Sequence, residues 1–207
     1  MKALGIVGSK RKKGNTSILI QQVLKALKSE HIETELIFLS DYDIKGCHGC
    51  EGCKETFECV IKDDMQKLYP LILEADAVIL GSPAYFYNIS SDTKAFLERC
   101  YNFEVFADDD RSIWMSINEA MGGKYAVVVA VCEQNDEKDM GLTAEAMIKP
   151  LESLGYRIVD TVKILRLYQI GDALMDNKAL EQAQRAGTKL AKTLKLRREI
   201  EDKLKLR

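Results

Sequence analysis

Five short apolar runs, each followed by a polar loop and then by a helical pattern, restrict this chain to one broad architecture. The runs occupy residues 3–7, 32–39, 77–80, 125–132 and 157–167. Between and after them, apolar residues recur at helical spacing: Ile20, Val23, Leu24 and Leu27; Leu68, Leu71, Ile72 and Ala75; Ala144, Met147, Ile148 and Leu151; and Leu180, Ala183, Gly187, Leu190 and Leu194. Asp63 with Gln66 reads as a capping box for the second helix. Ser90 or Ser91 reads as the cap of a third helix reaching about Asn102, and Gly155 as the residue ending the fourth. Strands alternating with helices make a parallel sheet covered on both faces. Right-handed crossovers then favour a doubly wound α/β sheet of five strands in the order 2-1-3-4-5. The mixed segment 103–123, with Asp108, Asp109 and Asp110 in its middle, is left as a long loop of the kind that carries function or meets a partner subunit.

At 207 residues the chain is read as a single domain, 1–207, with enough length to bury a substantial core. Apolar residues make up 46% and no run approaches the roughly 18 residues of a membrane span, so no membrane role is expected. The N-terminus runs directly into the first strand without a leader pattern, which implies a cytoplasmic protein. In that setting cysteines act as metal ligands or redox groups more often than as structural disulfides. A net charge of −2 argues against nucleic acid as a partner. The tail 189–207 is the basic exception, with eight basic and three acidic residues, and reads as the solvated face of a terminal helix.

Three loops carry the chemistry. The first, Gly8 to Ser17, joins a buried strand to a helix start, where free backbone N–H groups and the positive end of the helix dipole favour a phosphate. It matches neither G-x-x-x-x-G-K-[ST] nor G-x-G-x-x-G, which excludes a P-loop nucleotidase and a dinucleotide fingerprint here. The second follows the third strand: Pro83, Ala84, Tyr85, Phe86, Tyr87 and Asn88 place three aromatics in a row, a surface suited to something flat. The third is the run Cys47 to Cys59, which holds four of the six cysteines within thirteen residues. Four sulfur donors without a carboxylate point to an iron–sulfur cluster or zinc, with vacant or redox-active thiols as the alternative. Cys100 and Cys132 fit no such pattern and read as core thiols. In the predicted strand order all three loops project from the carboxyl end of the sheet.

Ser9-x-Arg11-x-x-Gly14-Asn15-Thr16 after the first strand and Ser82 to Phe86 after the third resemble the flavodoxin-like NADPH-dependent FMN reductase family. The cysteine run followed by Val60 to Met65 resembles that family's iron–sulfur flavoprotein branch. The resemblance covers roughly residues 1–165. It implies that Ser9, Arg11, Asn15, Thr16 and Ser17 hold the phosphate of FMN, and that Pro83, Ala84, Tyr85, Phe86 and Asn88 line the isoalloxazine ring. It implies that Cys47, Cys50, Cys53 and Cys59 ligate a [4Fe–4S] cluster, and that the protein is a homodimer or homotetramer. Residues 132–136 depart from the glycine-rich loop common in such reductases. Three functions follow for testing: an FMN redox protein passing electrons between flavin, a [4Fe–4S] cluster and external acceptors, with NAD(P)H or a ferredoxin-like protein as donor; an NAD(P)H-dependent FMN or quinone reductase whose cysteines are vacant or bind zinc; and a zinc-stapled binding module without flavin. No acid–base residue is assigned as catalytic, because the cofactor carries the reaction.

Overall fold

The computed structural model describes residues 1–205. Its centre is a five-stranded parallel sheet of β1 (Lys2–Val7), β2 (Glu33–Phe38), β3 (Ala77–Pro83), β6 (Lys124–Val131) and β7 (Tyr156–Ile164), hydrogen-bonded in the order β2-β1-β3-β6-β7. This is the flavodoxin-like doubly wound order expected from the alternating pattern. Five helices cover it: α1 (Asn15–Ser29) and α6 (Asn177–Lys205) on one face, α2 (Met65–Glu74), α3 (Ser91–Arg99) and α5 (Glu145–Ser153) on the other. The final residues of the tail, Leu206 and Arg207, lie outside the described residues.

The pleat explains how one strand serves two cores. Along β6, Ala126, Val128 and Ala130 face α2, α3 and α5, while Val127, Val129 and Val131 face α1 and α6. Val78 and Leu80 of β3 divide from Ala77 and Ile79 in the same way. These strands read as continuous apolar runs because both faces are buried. β3 is longer than its apolar run: Ser82 and Pro83 remain paired with Ala130 and Val131, since the residue before a proline favours extended backbone.

Segment 103–123 is not an irregular loop. It folds into an antiparallel hairpin, β4 (Glu104–Phe106) with β5 (Trp114–Ser116), followed by the one-turn helix α4 (Ile117–Ala120). Ser116 caps α4 by accepting from the Glu119 N–H at 3.0 Å. The three-residue strands are too short to show a period-two pattern, so sequence periodicity does not reveal them. The capping box at Asp63 forms only in half. Its carboxylate accepts from the Met65 N–H at 3.1 Å, but Gln66 turns away and donates to the carbonyls of Cys59 and Ile61, both at 2.9 Å. Ser90, rather than Ser91, caps α3. Gly155, at φ 80°, follows α5 as expected.

Among the described residues no helix is long and apolar enough to cross a membrane. The basic tail is the end of α6 and is mostly exposed beyond Lys195, as a solvated helix face is; Lys195 pairs with Glu30 and Arg197 donates to the Gly123 carbonyl at 2.6 Å.

The α1–α6 contact depends on a close approach at Gly187, where an added Cβ would stand 2.5 Å from the Val23 carbonyl oxygen and 2.8 Å from the Ala26 Cβ. Gly187→Val is therefore expected to destabilise the protein by about 2 kcal/mol, typical of overpacking against backbone that cannot retreat. A lowered midpoint in thermal or urea unfolding checks it.

Candidate functional site

Strands β1 and β3 lie side by side at the middle of the sheet, and their connections leave in different directions, which opens a crevice at the carboxyl rim. A buried network fixes its floor. The Gly8 N–H donates to Gly81 O at 2.8 Å, and the Ser90 hydroxyl donates to Gly8 O at 2.6 Å. The Ser90 and Thr93 hydroxyls are 2.8 Å apart, and the Ser90 N–H donates to the Ser82 hydroxyl at 2.9 Å. Gly8 is required here: a Cβ would fall 1.9 Å from the Thr93 Oγ1. The phosphate loop and the aromatic loop are thereby held as two walls of one cavity.

That cavity has a volume of about 260 Å³ and is lined by Ser9, Arg11, Asn15, Thr16, Pro83, Ala84, Tyr85 and Phe86, eight of the ten residues expected to bind flavin. Ser17 and Asn88 do not line it. The Ser17 side chain is fully buried and accepts from Gln21 at 2.9 Å. The Asn88 carboxamide accepts from the Ile89 N–H at 2.9 Å, and the Asn88 backbone pairs with Tyr85. Asn15 borders the cavity, yet both ends of its amide are spent elsewhere: it donates to Gln169 O at 2.9 Å and accepts from the Ala173 N–H at 3.0 Å. Its side chain anchors the loop after β7 to the start of α1.

The cavity's donor chemistry suits a phosphate. Gly14 precedes α1 without a side-chain cap, and the first turn of α1 carries no acidic residue. Among the described residues the backbone N–H groups of Asn15, Thr16 and Ser17 have no acceptor, and neither does the Thr16 hydroxyl, although Thr16 is only 2% exposed. Donors at a helix N-terminus that meet no protein acceptor and open onto a cavity are available to a ligand. A phosphate suits them at the positive end of the helix.

The opposite wall suits a flat ring. Tyr85 to Asn88 form a tight turn, with Tyr85 N–H to Asn88 O at 2.7 Å and Asn88 N–H to Tyr85 O at 3.1 Å. Both central residues have positive φ, 48° at Phe86 and 65° at Tyr87, a conformation in which aromatic side chains are strained. Phe86 is 96% exposed, so the aromatics do not fold back into the core. Tyr87 O accepts from the Leu142 N–H at 2.8 Å, which braces the turn against the loop after β6.

Sequence reasoning missed the remaining walls, Val131 at the end of β6, Glu133 just after it, and Leu167 and Tyr168 after β7. Arg11 reaches across to donate to Tyr168 O at 3.0 Å and lies 5.9 Å from the Tyr168 ring centroid. Those residues fall in segments without a motif, and only the shared rim position of all strand ends pointed to them.

The cysteines lie elsewhere, contrary to the expectation of a single shared rim. None of the four lines the cavity. Cys47 and Gly49 line a separate cleft of about 540 Å³ together with Leu97 in the last turns of α3, Tyr101 just beyond it, and Pro150, Ser153 and Leu154 at the end of α5. α3 starts beside the flavin-type cavity, where Ser90 bonds Gly8, and the cleft is lined by the residues at its far end, Leu97, Glu98 and Tyr101. The cause is the stem of the loop, which is hydrogen-bonded to Arg99 at the last turn of α3 rather than to the rim. Lys54–Asp108 at 3.2 Å and Arg111–Glu51 at 2.9 Å join the loop to the hairpin tip. Cys47 and Cys50 are exposed, Cys53 is half-buried and Cys59 is buried. Burial pushes the Cys53 thiol up, and the neighbouring thiols of Cys59, Cys47 and Cys50 push it further. The sulfurs are neighbours, and a set of four thiols suits a soft metal. Even so, no three of the chain's described His, Cys, Asp or Glu side chains are gathered in metal-holding geometry. Cys100 and Cys132 are core thiols, and burial pushes Cys100 up to about 12. The larger cleft is lined by the carboxylates Glu51, Glu98 and Glu104 against the single cation Lys149, so charge rather than size assigns the phosphate site to the smaller one.

This fold and cavity define a flavin-type oxidoreductase scaffold, and comparison with known proteins agrees. The family profile described as NADPH-dependent FMN reductase matches residues 1–144, and the chain belongs to that family of flavin-dependent oxidoreductases. By sequence it groups with the family's iron–sulfur flavoproteins. It is 44% identical over 99 residues to an iron–sulfur flavoprotein of Methanocaldococcus jannaschii, a match covering 48% of this chain and 51% of that one. A putative NAD(P)H-dependent FMN-containing oxidoreductase of Bacillus subtilis is 28% identical over 188 residues, covering 89% of this chain and 96% of the relative. The chain spans about half the length of the iron–sulfur flavoproteins it matches. Among solved structures, a flavone reductase superposes with a TM-score of 0.69 at 16% identity, covering 94% of this chain and 63% of that one, a likeness of fold.

Because Phe86 is strained and exposed, Phe86→Asn is expected to stabilise the flavin-free protein by about 1 kcal/mol, since asparagine tolerates positive φ. Comparing urea midpoints of the two flavin-free proteins checks this.

Proposed function

We propose that the chain is a cytoplasmic FMN-dependent oxidoreductase that receives electrons from NAD(P)H or a ferredoxin-like donor and passes them to external acceptors. The observation that carries this reading is the pairing of unsatisfied helix N-terminal donors with a strained, exposed aromatic turn across one crevice. In this reading the N–H groups of Asn15, Thr16 and Ser17, with the hydroxyls of Ser9 and Thr16, hold the FMN phosphate. Arg11 closes the phosphate end by bridging to the loop after β7. Pro83, Ala84, Tyr85 and Phe86 flank the ring, and Asn88 acts through its backbone by closing the turn. Tyr168 and Glu133 complete the walls. Bound FMN supplies two-electron acceptance and one-electron release. The chain's own part is to bind, orient and shield the ring, and no acid–base side chain is assigned a catalytic role.

Cys47, Cys50, Cys53 and Cys59 are proposed as ligands of a [4Fe–4S] cluster, which supplies a one-electron station. The support is the compact all-thiol set and the similarity to proteins named iron–sulfur flavoproteins. A second reading is an NAD(P)H-dependent FMN or quinone reductase with vacant or zinc-bound cysteines, and the open arrangement of the described thiols supports its vacant form. The exposed apolar side chains of Ile113, Trp114, Met115 and Met121 on and beside the hairpin support a homodimer or homotetramer.

Thr16→Val keeps side-chain volume and removes a hydroxyl that has no protein partner, so stability should hold while FMN affinity falls roughly tenfold, the value of one hydrogen bond to a charged group. Quenching of FMN fluorescence measures it, and unchanged affinity would remove Thr16 from the site. Anaerobically prepared protein should bind one FMN per chain and hold about four iron and four sulfide. FMN without iron or sulfide selects the second reading.

A further inference from the structure

Arg99 is 1% exposed and is among the largest fully buried side chains of the protein. Its guanidinium meets Asp63 at 2.5 Å, with side-chain exposures of 0% and 2%, and the other ion pairs among the described residues are all more exposed. Replacing a buried ion pair by apolar side chains is often neutral or stabilising, so a packed core alone has little need of one. The contacts of this pair suggest a different task, because they fall on the stem of the thiol loop. Arg99 Nη1 donates to Lys45 O at 3.0 Å, and Nη2 donates to Ile61 O at 3.4 Å. The Asp63 carboxylate accepts from the Lys45 N–H at 2.9 Å and the Met65 N–H at 3.1 Å. Lys45 stands two residues before Cys47, and Ile61 two residues after Cys59. One guanidinium therefore gathers both ends of the cysteine run.

Neighbouring contacts strengthen the closure. Gln66 donates to Cys59 O and Ile61 O, and Asp43 and Asp64 exchange hydrogen bonds of 2.9 and 3.1 Å. Arg99 is itself fixed from behind, where the Tyr69 hydroxyl donates to Arg99 O at 3.0 Å. Further out, Asn102 donates to Phe57 O at 2.8 Å. Beyond these ties and the two exposed ion pairs to the hairpin tip the loop is open to solvent: Cys47 and Cys50 are exposed, while Cys59, next to the stem, is buried.

We propose that Arg99, held by Asp63, is the latch of the thiol loop, a positioning residue that closes residues 46–60 into a ring and keeps Cys59 inside the protein beside the other three sulfurs. All of these ties run between protein atoms, so the latch sets the course of the loop's two ends and the burial of Cys59. Only the metal half of the test below rests on reading this loop as a cluster site.

The six cysteines provide their own controls. Arg99→Met alone would strand a buried carboxylate, so the variant to make is Arg99→Met with Asp63→Asn, in which the Asn Oδ1 can still accept from one of the two N–H groups, Lys45 or Met65, that the carboxylate held. In the full-length, FMN-loaded protein prepared without iron, alkylation by iodoacetamide is followed at each cysteine by mass spectrometry. In the unsubstituted protein Cys59 should react at least tenfold more slowly than Cys47 and Cys50. In the double variant Cys59 should speed up at least tenfold, while Cys100 and Cys132, buried in the core, stay protected. The latch is refuted if Cys59 is already as fast as Cys47 in the unsubstituted protein, or if its rate is unchanged in the variant. It is equally refuted if Cys100 and Cys132 open together with Cys59, because the pair then only supports the global fold. On anaerobic reconstitution with iron and sulfide the variant should retain less than half the iron of the unsubstituted protein, with its FMN content unchanged, and equal iron retention contradicts the latch. An unsubstituted protein that takes up no iron overturns the cluster reading instead, and the alkylation rates still decide the latch.

Discussion

The hydrogen bond from Gly8 to Gly81 lies where two adjacent parallel strands end and their connections part, and the geometry of the rim depends on it. Parallel neighbours must send their crossovers to opposite faces at this point, which leaves a crevice that side chains from neither layer fill. The Ser90 hydroxyl, which also caps α3, donates to the Gly8 carbonyl, so the start of α3 and the end of β1 are set by one atom. The phosphate wall and the aromatic wall consequently cannot move independently. A ligand spanning both meets a crevice whose width is fixed before it arrives, which lowers the ordering cost of binding.

Two kinds of local cost are held at this rim, and each is borne by a different part of the fold. The unsatisfied donors at the head of α1 follow from a helix that begins without a side-chain cap. The strained backbone at Phe86 and Tyr87 is held by the Tyr85–Asn88 pairing on one side and by Leu142 on the other. Strain of this sort persists only where the surroundings over-determine it, and it concentrates where a protein meets a ligand. The thiol loop is organised on another plan. It is tied by a buried charge pair to the middle of the helical layer, and its outer half is left to solvent.

Much of this was legible in the residues themselves. The runs at Ala77 to Leu80 and Tyr125 to Cys132 announced buried parallel strands, because both faces of those strands are covered and no polar residue interrupts them. Ser9, Arg11, Thr16, Pro83, Ala84, Tyr85 and Phe86 were legible as cavity residues because they fall at or just beyond the ends of β1 and β3, where topology opens a crevice, in the two motifs that carried the family resemblance. Asn15 was legible as a neighbour of the cavity and illegible in its role, since its partners Gln169 and Ala173 come from more than 150 residues further along the chain. The hairpin in 103–123 stayed hidden because three residues per strand carry too little pattern. Arg99 gave no signal at all: an arginine ending an amphipathic helix looks like an ordinary solvated charge.

By itself the sequence determined the layer order, the strand sequence around the switch point and the chemical character of each loop, because these follow from local periodicity and from the handedness of crossovers. Only the tertiary structure decided where the sulfur-bearing loop would lie. A loop's connection to a strand end fixes its origin and not its course, and the course was set by a guanidinium contributed 36 residues beyond the aspartate it pairs with. Contacts of that separation are chosen by three-dimensional packing and charge burial, which no window along the chain contains.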